Sequence, residues 1–245
     1  MNHASRFYRD YRDNGDNVGI SAFNVKLHAS DLYIRADKNL HEQALSILTD
    51  ARRKLEDYIH ERDEFIHSLN PIVSDGSEPE IVHEMIMAAS TAGVGPMAAV
   101  AGAIAERVGA GLLNFTDEVI VENGGDIWMK LTRPAVIGIY AKNIYFKHNV
   151  GIRIDPAKTP CSVCTSSSKL GHSISLGKAD SVTIIAKTGA LADAAATAVC
   201  NIVQSRDDIE GALNFAMSIN GVSACVIILN EIIAVQGDIE LCPLE

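Results

Sequence analysis

The sequence predicts an α+β fold of mainly antiparallel sheets packed with helices, and three observations carry that expectation. Residues 23–36, "FNVKLHASDLYIRA", alternate apolar and polar on both sides of Ser30-Asp31, the period-2 pattern of a half-buried hairpin. From Leu40 onward the apolar positions change to helical spacing. Each half of the chain then runs as hairpins followed by helix pairs, an order that suits antiparallel sheet better than βαβ crossovers.

Taken in order, Arg6, Tyr8, Arg9 and Tyr11 alternate as a further strand would. Leu40, Ala44, Ile47, Leu48, Ala51, Leu55, Tyr58 and Ile59 predict one amphipathic helix over 39–61. Pro71 and "SDGSEPE" mark a loop, and helices are expected at 80–90 and 96–109. The second of these, "PMAAVAGAIAERV", is small and apolar nearly all round and so should be buried on most sides. Pro96 suits its first turn, where no helical hydrogen bond is lost.

Strands are expected at 118–122, 127–131, 135–141 and 150–154, followed by a polar loop, "DPAKTPCSVCTSSSKLGHS". A strand at 181–187, helices at 190–204 and 207–219, and strands at 222–229 and 232–236 complete the chain. With 245 residues, 47% of them hydrophobic, one sizeable core is affordable. No long polar linker divides the chain, so a single unit over 1–245 with two pseudo-similar halves is expected.

A formal charge of −10, spread along the chain, argues against a nucleic-acid surface. No apolar run is long enough to span a bilayer, and "MNHASRFYRDYRD" lacks the order of a signal peptide. A cytoplasmic protein without a membrane partner is therefore expected. Five cysteines, an odd number in a chain of this size, argue against a disulfide framework.

Four stretches could carry chemistry. In "VENGGDIW" the pair Gly124-Gly125 interrupts a strand between Asn123 and Asp126, which fits either a plain hairpin turn or a turn that a ligand approaches closely. Gly93 and Gly95 precede a helix whose first amides lack partners, a place for phosphate oxygens or simply a tight packing point. Asp193 and Thr197 lie four apart on a helix, so a carboxylate and a hydroxyl could converge on a hard cation such as Mg²⁺. The bland alternative is an acid favoured by the helix dipole and a threonine bonded back to a carbonyl. In "CSVCTSSSKLGHS", two thiols, a hydroxyl cluster and His172 could bind an anion, activate a nucleophile or accept a proton. Cys161 and Cys164 could do thiol chemistry or be solvent-facing bystanders, whereas Cys200 and Cys225 sit in apolar runs and look like core.

In this order the stretches resemble the ApbE family of flavin transferases. "GVGPMAAVAGAIAE", "VENGGDI" and "GHSISLGKAD" are most similar to its ApbE-like prokaryotic branch of unknown function, with the likeness strongest over 91–201. The resemblance implies a T-fold-related scaffold, bound FAD or another nucleotide, Mg²⁺ at the diphosphate, and transfer of the FMN half to an acceptor protein. It implies that Asp193 and Thr197 hold the metal. Asn123, Gly124, Gly125 and Asp126, with Gly93 and Gly95, would face the cofactor, and Thr165, Ser166 and His172 would form the catalytic group. The chain departs from the family pattern at Met97, Ala98 and Gly102, where a Lys-Gly pair and an Asp are expected, and "SISLG" replaces an Asp-Pro. Two other expectations remain open. One is a sulfur-handling protein using Cys161 or Cys164 as a persulfide in sulfur assimilation, which relatives of this branch are associated with. The other is a non-catalytic binding or assembly protein, whose small-residue helices would suit a homo-oligomer.

Overall fold

The computed structural model describes residues 20–141, 150–168 and 177–244. The strand expected around Arg6 to Tyr11 lies outside the described residues, as does His172.

β1 (Ser21–Leu27) and β2 (Ser30–Ala36) form the first hairpin. Its turn falls at His28-Ala29, earlier than the Ser30-Asp31 suggested by composition. His28 takes the left-handed backbone (φ 52°), and Ser30 already pairs with Leu27. Ser30 is buried because its hydroxyl accepts from Arg52 Nη1 at 2.8 Å. A polar residue that looked like turn is thus a strand residue with a partner.

α1 (His41–Glu61) follows as expected, turning Ala44, Leu48, Ala51, Leu55 and Tyr58 inward. Its outer face carries i,i+4 ion pairs, Asp50 with Lys54 and Arg52 with Glu56. A short helix not expected from the sequence, α2 (Asp63–His67), buries Phe65 edge-on against Tyr58. α3 (Glu80–Ala92) ends at Gly93 in the left-handed conformation. A 3-10 turn, Pro96–Ala99, then leads into α4 (Val100–Leu112).

β3 (Val119–Asn123), β4 (Asp126–Lys130), β5 (Ala135–Gly138) and β6 (Val150–Ile154) match the expected strands closely. The stretch expected as a polar loop is in part a buried strand, β7 (Cys161–Ser166). β8 (Ser181–Ala186), α5 (Gly189–Ile202), α6 (Ile209–Ser218), β9 (Val222–Leu229), β10 (Ile232–Gly237) and β11 (Glu240–Pro243) complete the described chain.

Eight strands form one sheet in the order β1-β2-β3-β4-β7-β8-β9-β10, and β11-β6-β5 form a second. Every described pairing is antiparallel. The large sheet is covered on both faces, by helices on one side and by the small sheet on the other. Period-2 alternation shows this within single strands. On β9, Cys225, Ile227 and Leu229 join the helix-side core while Ala224, Val226 and Ile228 join the core beneath the small sheet. That is why "VSACVIIL" has little polar alternation. Among the described residues no single helix is long and apolar enough to cross a membrane.

Candidate functional site: a buried carboxylate pair

The β3–β4 hairpin closes through Gly124 and Gly125, with φ of 72° and 121°. Asn123 and Asp126 are not loop residues. They face each other in the ladder as its last pair. Residues of β3 and β4 with this parity, Val121 and Trp128 among them, point to the helix side, so both polar side chains enter the helix-side core.

Asn123 Nδ2 donates to the Ala101 carbonyl (3.1 Å) at the start of α4. Asp193, one turn into α5, accepts at Oδ2 from the amides of Ala101 (3.0 Å) and Gly102 (2.9 Å). No side chain from its own segment caps α4, so a carboxylate from another helix satisfies the orphan amides. Asp126 takes the Cys164 thiol and the Thr165 amide as partners, yet its Oδ1 is buried without one.

Burial dominates the electrostatics. Desolvation pushes Asp126 up to about 7, against donation from Cys164 and Thr165. Asp193 is raised well above the usual carboxylate range, first by burial and then by the charge of Asp126. Both are 8% exposed. Two carboxylates this dry, with the charge of one acting on the other, are costly to ionise together, and a proton or a cation would offset that cost.

Around this pair the expected residues separate. The 3-10 turn after Gly95 packs against α5 and so borders the site. Gly95, however, is occupied by the chain itself: a Cβ there would lie 1.8 Å from the Ser68 carbonyl oxygen. Thr197 is buried one turn beyond Asp193 on α5. Thr165 and Ser166 are neighbours on β7 and therefore face opposite sides. The Thr165 hydroxyl meets that of Thr183 at 2.9 Å, while Ser166 shares the side of Cys164 and has a buried Oγ without a partner.

A family model described as AbpE bacteria matches residues 13–241. The chain belongs to that family. A UPF0280 protein of Methanocaldococcus jannaschii is 40% identical over 208 residues, 83% of this chain and 84% of its own. One of Methanospirillum hungatei is 44% identical over 177 residues, covering 71% and 72%. Among solved structures, the apo flavinyl transferase ApbE of Pseudomonas stutzeri aligns with a TM-score of 0.59 at 15% identity, over 89% of this chain and 94% of that one. The flavin transferase ApbE of Vibrio cholerae aligns at 0.57 and 13%, over 89% and 96%. At these identities the two structures establish a shared ApbE fold.

This AbpE family member differs from expectation at its thiols. The two cysteines are not in a solvent-facing loop. Strand periodicity sends positions three apart to opposite faces, so Cys161 joins the core under the small sheet and Cys164 the helix-side core. Burial raises Cys161 to about 11 and Cys164 well above its ordinary value, the latter with help from Asp126 and Asp193. On opposite faces the two cannot converge on one metal or one disulfide.

Among the described residues, no three His, Cys, Asp or Glu side chains gather as a metal cluster. A smaller donor set still fits a hard cation. Mg²⁺ commonly takes one or two protein carboxylates and draws its other ligands from water and phosphate. Asp126, with a free buried oxygen, Asp193 and the Thr197 hydroxyl are the residues that could hold it.

Proposed function

We propose that this protein binds a nucleotide, FAD in the first instance, together with Mg²⁺ at the Asp126–Asp193 pair, and transfers part of it to an acceptor protein. The observation that carries the proposal is the unpartnered, buried Oδ1 of Asp126 beside a second buried carboxylate. Such a pair is costly to keep unless something positive is bound there. When bound, a divalent cation neutralises the oxygens of a diphosphate. Gly124 and Gly125 give a ligand backbone access at the mouth, Thr197 and Ser166 add hydroxyls, and His172 takes the proton of the accepting hydroxyl. The ApbE fold, shared with flavin transferases of Pseudomonas stutzeri and Vibrio cholerae, supports the same reading.

A second reading has its own observation. Asp193 already accepts two backbone amides, the arrangement of a structural cap, and Met97, Ala98 and Gly102 depart from the family pattern. A scaffold that has kept the fold and lost the chemistry would look like this. The sulfur-handling reading gains nothing here, because buried, high-pKa thiols give little thiolate at neutral pH.

Equilibrium binding of FAD and ADP, with and without Mg²⁺, separates the readings for wild type and Asp193→Ala. Metal-dependent binding that is lost in a folded variant supports the transferase reading. Wild-type protein that binds neither nucleotide under any condition would favour the scaffold.

A further inference from the structure

Where α4 crosses α5, the two helices treat each other identically. A Cβ on Gly102 would stand 2.1 Å from the Gly189 carbonyl oxygen, and a Cβ on Gly189 would stand 2.1 Å from the Gly102 carbonyl oxygen. Four residues beyond each glycine is an acid, Glu106 on α4 and Asp193 on α5. Asp193 accepts the Ala101 and Gly102 amides, and Glu106 accepts the Gly189 amide at 2.7 Å and bonds that of Ala190. Each helix start is thus capped by the acid of the other helix, as if about a local two-fold axis through the glycine contact.

We infer that Glu106 is a positioning residue for Asp193, holding it where the proposed cation would sit by fixing the first turn of α5 against α4. This rests on the cation reading above. The physical link is short. Asp193 lies one turn after the amides that Glu106 holds, and the glycine crossing leaves no side chain between the backbones to absorb a shift. Loss of Glu106 leaves the buried Gly189 amide without its acceptor, and α5 must move or fray to find another. Asp193 moves with it and releases Ala101 and Gly102.

The test compares Glu106→Ala, Glu106→Gln and a control, Glu80→Gln, which breaks the ion pair between the exposed Glu80 of α3 and Arg107 of α4. The first readout is amide hydrogen exchange in metal-free protein. Glu106→Ala should speed exchange of the Ala101 and Gly102 amides about tenfold, local opening being read site by site. Glu106→Gln keeps an acceptor oxygen and should stay within about threefold of wild type, as should the control. The second readout is the dissociation constant for Mn²⁺ alone, which should rise roughly tenfold in Glu106→Ala and recover in Glu106→Gln, the usual scale for a residue supporting a metal ligand. If Glu106 were only a local cap, Gly189 and Ala190 would exchange faster while Ala101 and Gly102 kept wild-type protection. That result overturns the inference, as does a Glu106→Gln protein as impaired as Glu106→Ala. Wild-type protein that does not bind Mn²⁺ sinks the cation reading by itself, and the exchange data then still decide whether Glu106 positions Asp193.

Discussion

The turns at Gly95 and Gly124, which lie before and after α4 in the chain, use glycine for different reasons. At Gly95 the missing side chain makes room for the protein's own backbone, since Ser68 and Leu69 cross directly over it. At Gly124 no described atom comes within 4 Å of where a Cβ would be, and the glycine serves only the left-handed turn, φ 72°. Both looked like places where a ligand could approach a backbone. One is filled by the fold, and at the other none of the described residues stands in the way.

The largest expected effect tests the filled turn. Gly95→Ala forces a methyl into a carbonyl and should cost about 3 kcal/mol or more, since neither backbone can yield cheaply. Urea denaturation reads this, and a near-neutral result would mean that segment 68–69 is not seated as described.

Next in size is the pair itself. Asp126 titrates near 7 in the folded protein against an ordinary 3.8. Between those values the native state keeps a proton that the unfolded chain has lost. The stability contributed by Asp126 is therefore greatest below about pH 4, falls as pH rises toward 7 and stays lost above. Asp126→Asn, which cannot ionise, should match wild type near pH 4 and exceed it at pH 8 by roughly 1–3 kcal/mol in the presence of chelator. Denaturation curves at the two pH values check the sign. A difference that does not grow with pH would show that Asp126 is not the buried acid described here.

At the open turn, Gly124→Ala has room for its methyl and pays only for the left-handed backbone, roughly 1–2 kcal/mol. Paired with Gly95→Ala, it isolates crowding from conformation. If nucleotide binds near Gly124, this variant should also weaken FAD binding by more than its stability loss explains. Calorimetric titration would detect that.

The smallest effect concerns the thiols. With Cys161 near 11, about one thiol in ten thousand is ionised at pH 7. An alkylating reagent should therefore label the partly exposed Cys242 first, leaving Cys161 and Cys164 until the protein unfolds. Mass spectrometry of briefly treated native protein would show which cysteines carry label. Early labelling of Cys164 would reopen the case for thiol chemistry.

Much of the fold could be read from local pattern. The helix at 39–61 and the hairpin over 23–36 announce themselves by a period of 3.6 or 2 within a dozen residues. β7 did not, because "CSVCTS" carries serines and threonine on a strand buried on both faces. Its hydroxyls and thiols mimic the composition of a loop. Ser30 misled in the same way until Arg52 supplied its partner.

The sequence by itself determined the α+β class, the strand and helix periods and the turn between Asn123 and Asp126, because each depends on residues adjacent in the chain. Only the tertiary structure decided that Asp193 meets the amides of Ala101 and Gly102, some 92 and 91 residues away. It also decided that Asp126 is buried where its charge acts on Asp193, and that Cys161 and Cys164 lie on opposite sides of a sheet. The matching Gly-x-x-x-acid spacings at 102–106 and 189–193 were visible in the sequence. They gained meaning only when two backbones were seen to touch, since a close approach depends on both partners and neither stretch of sequence carries information about the other.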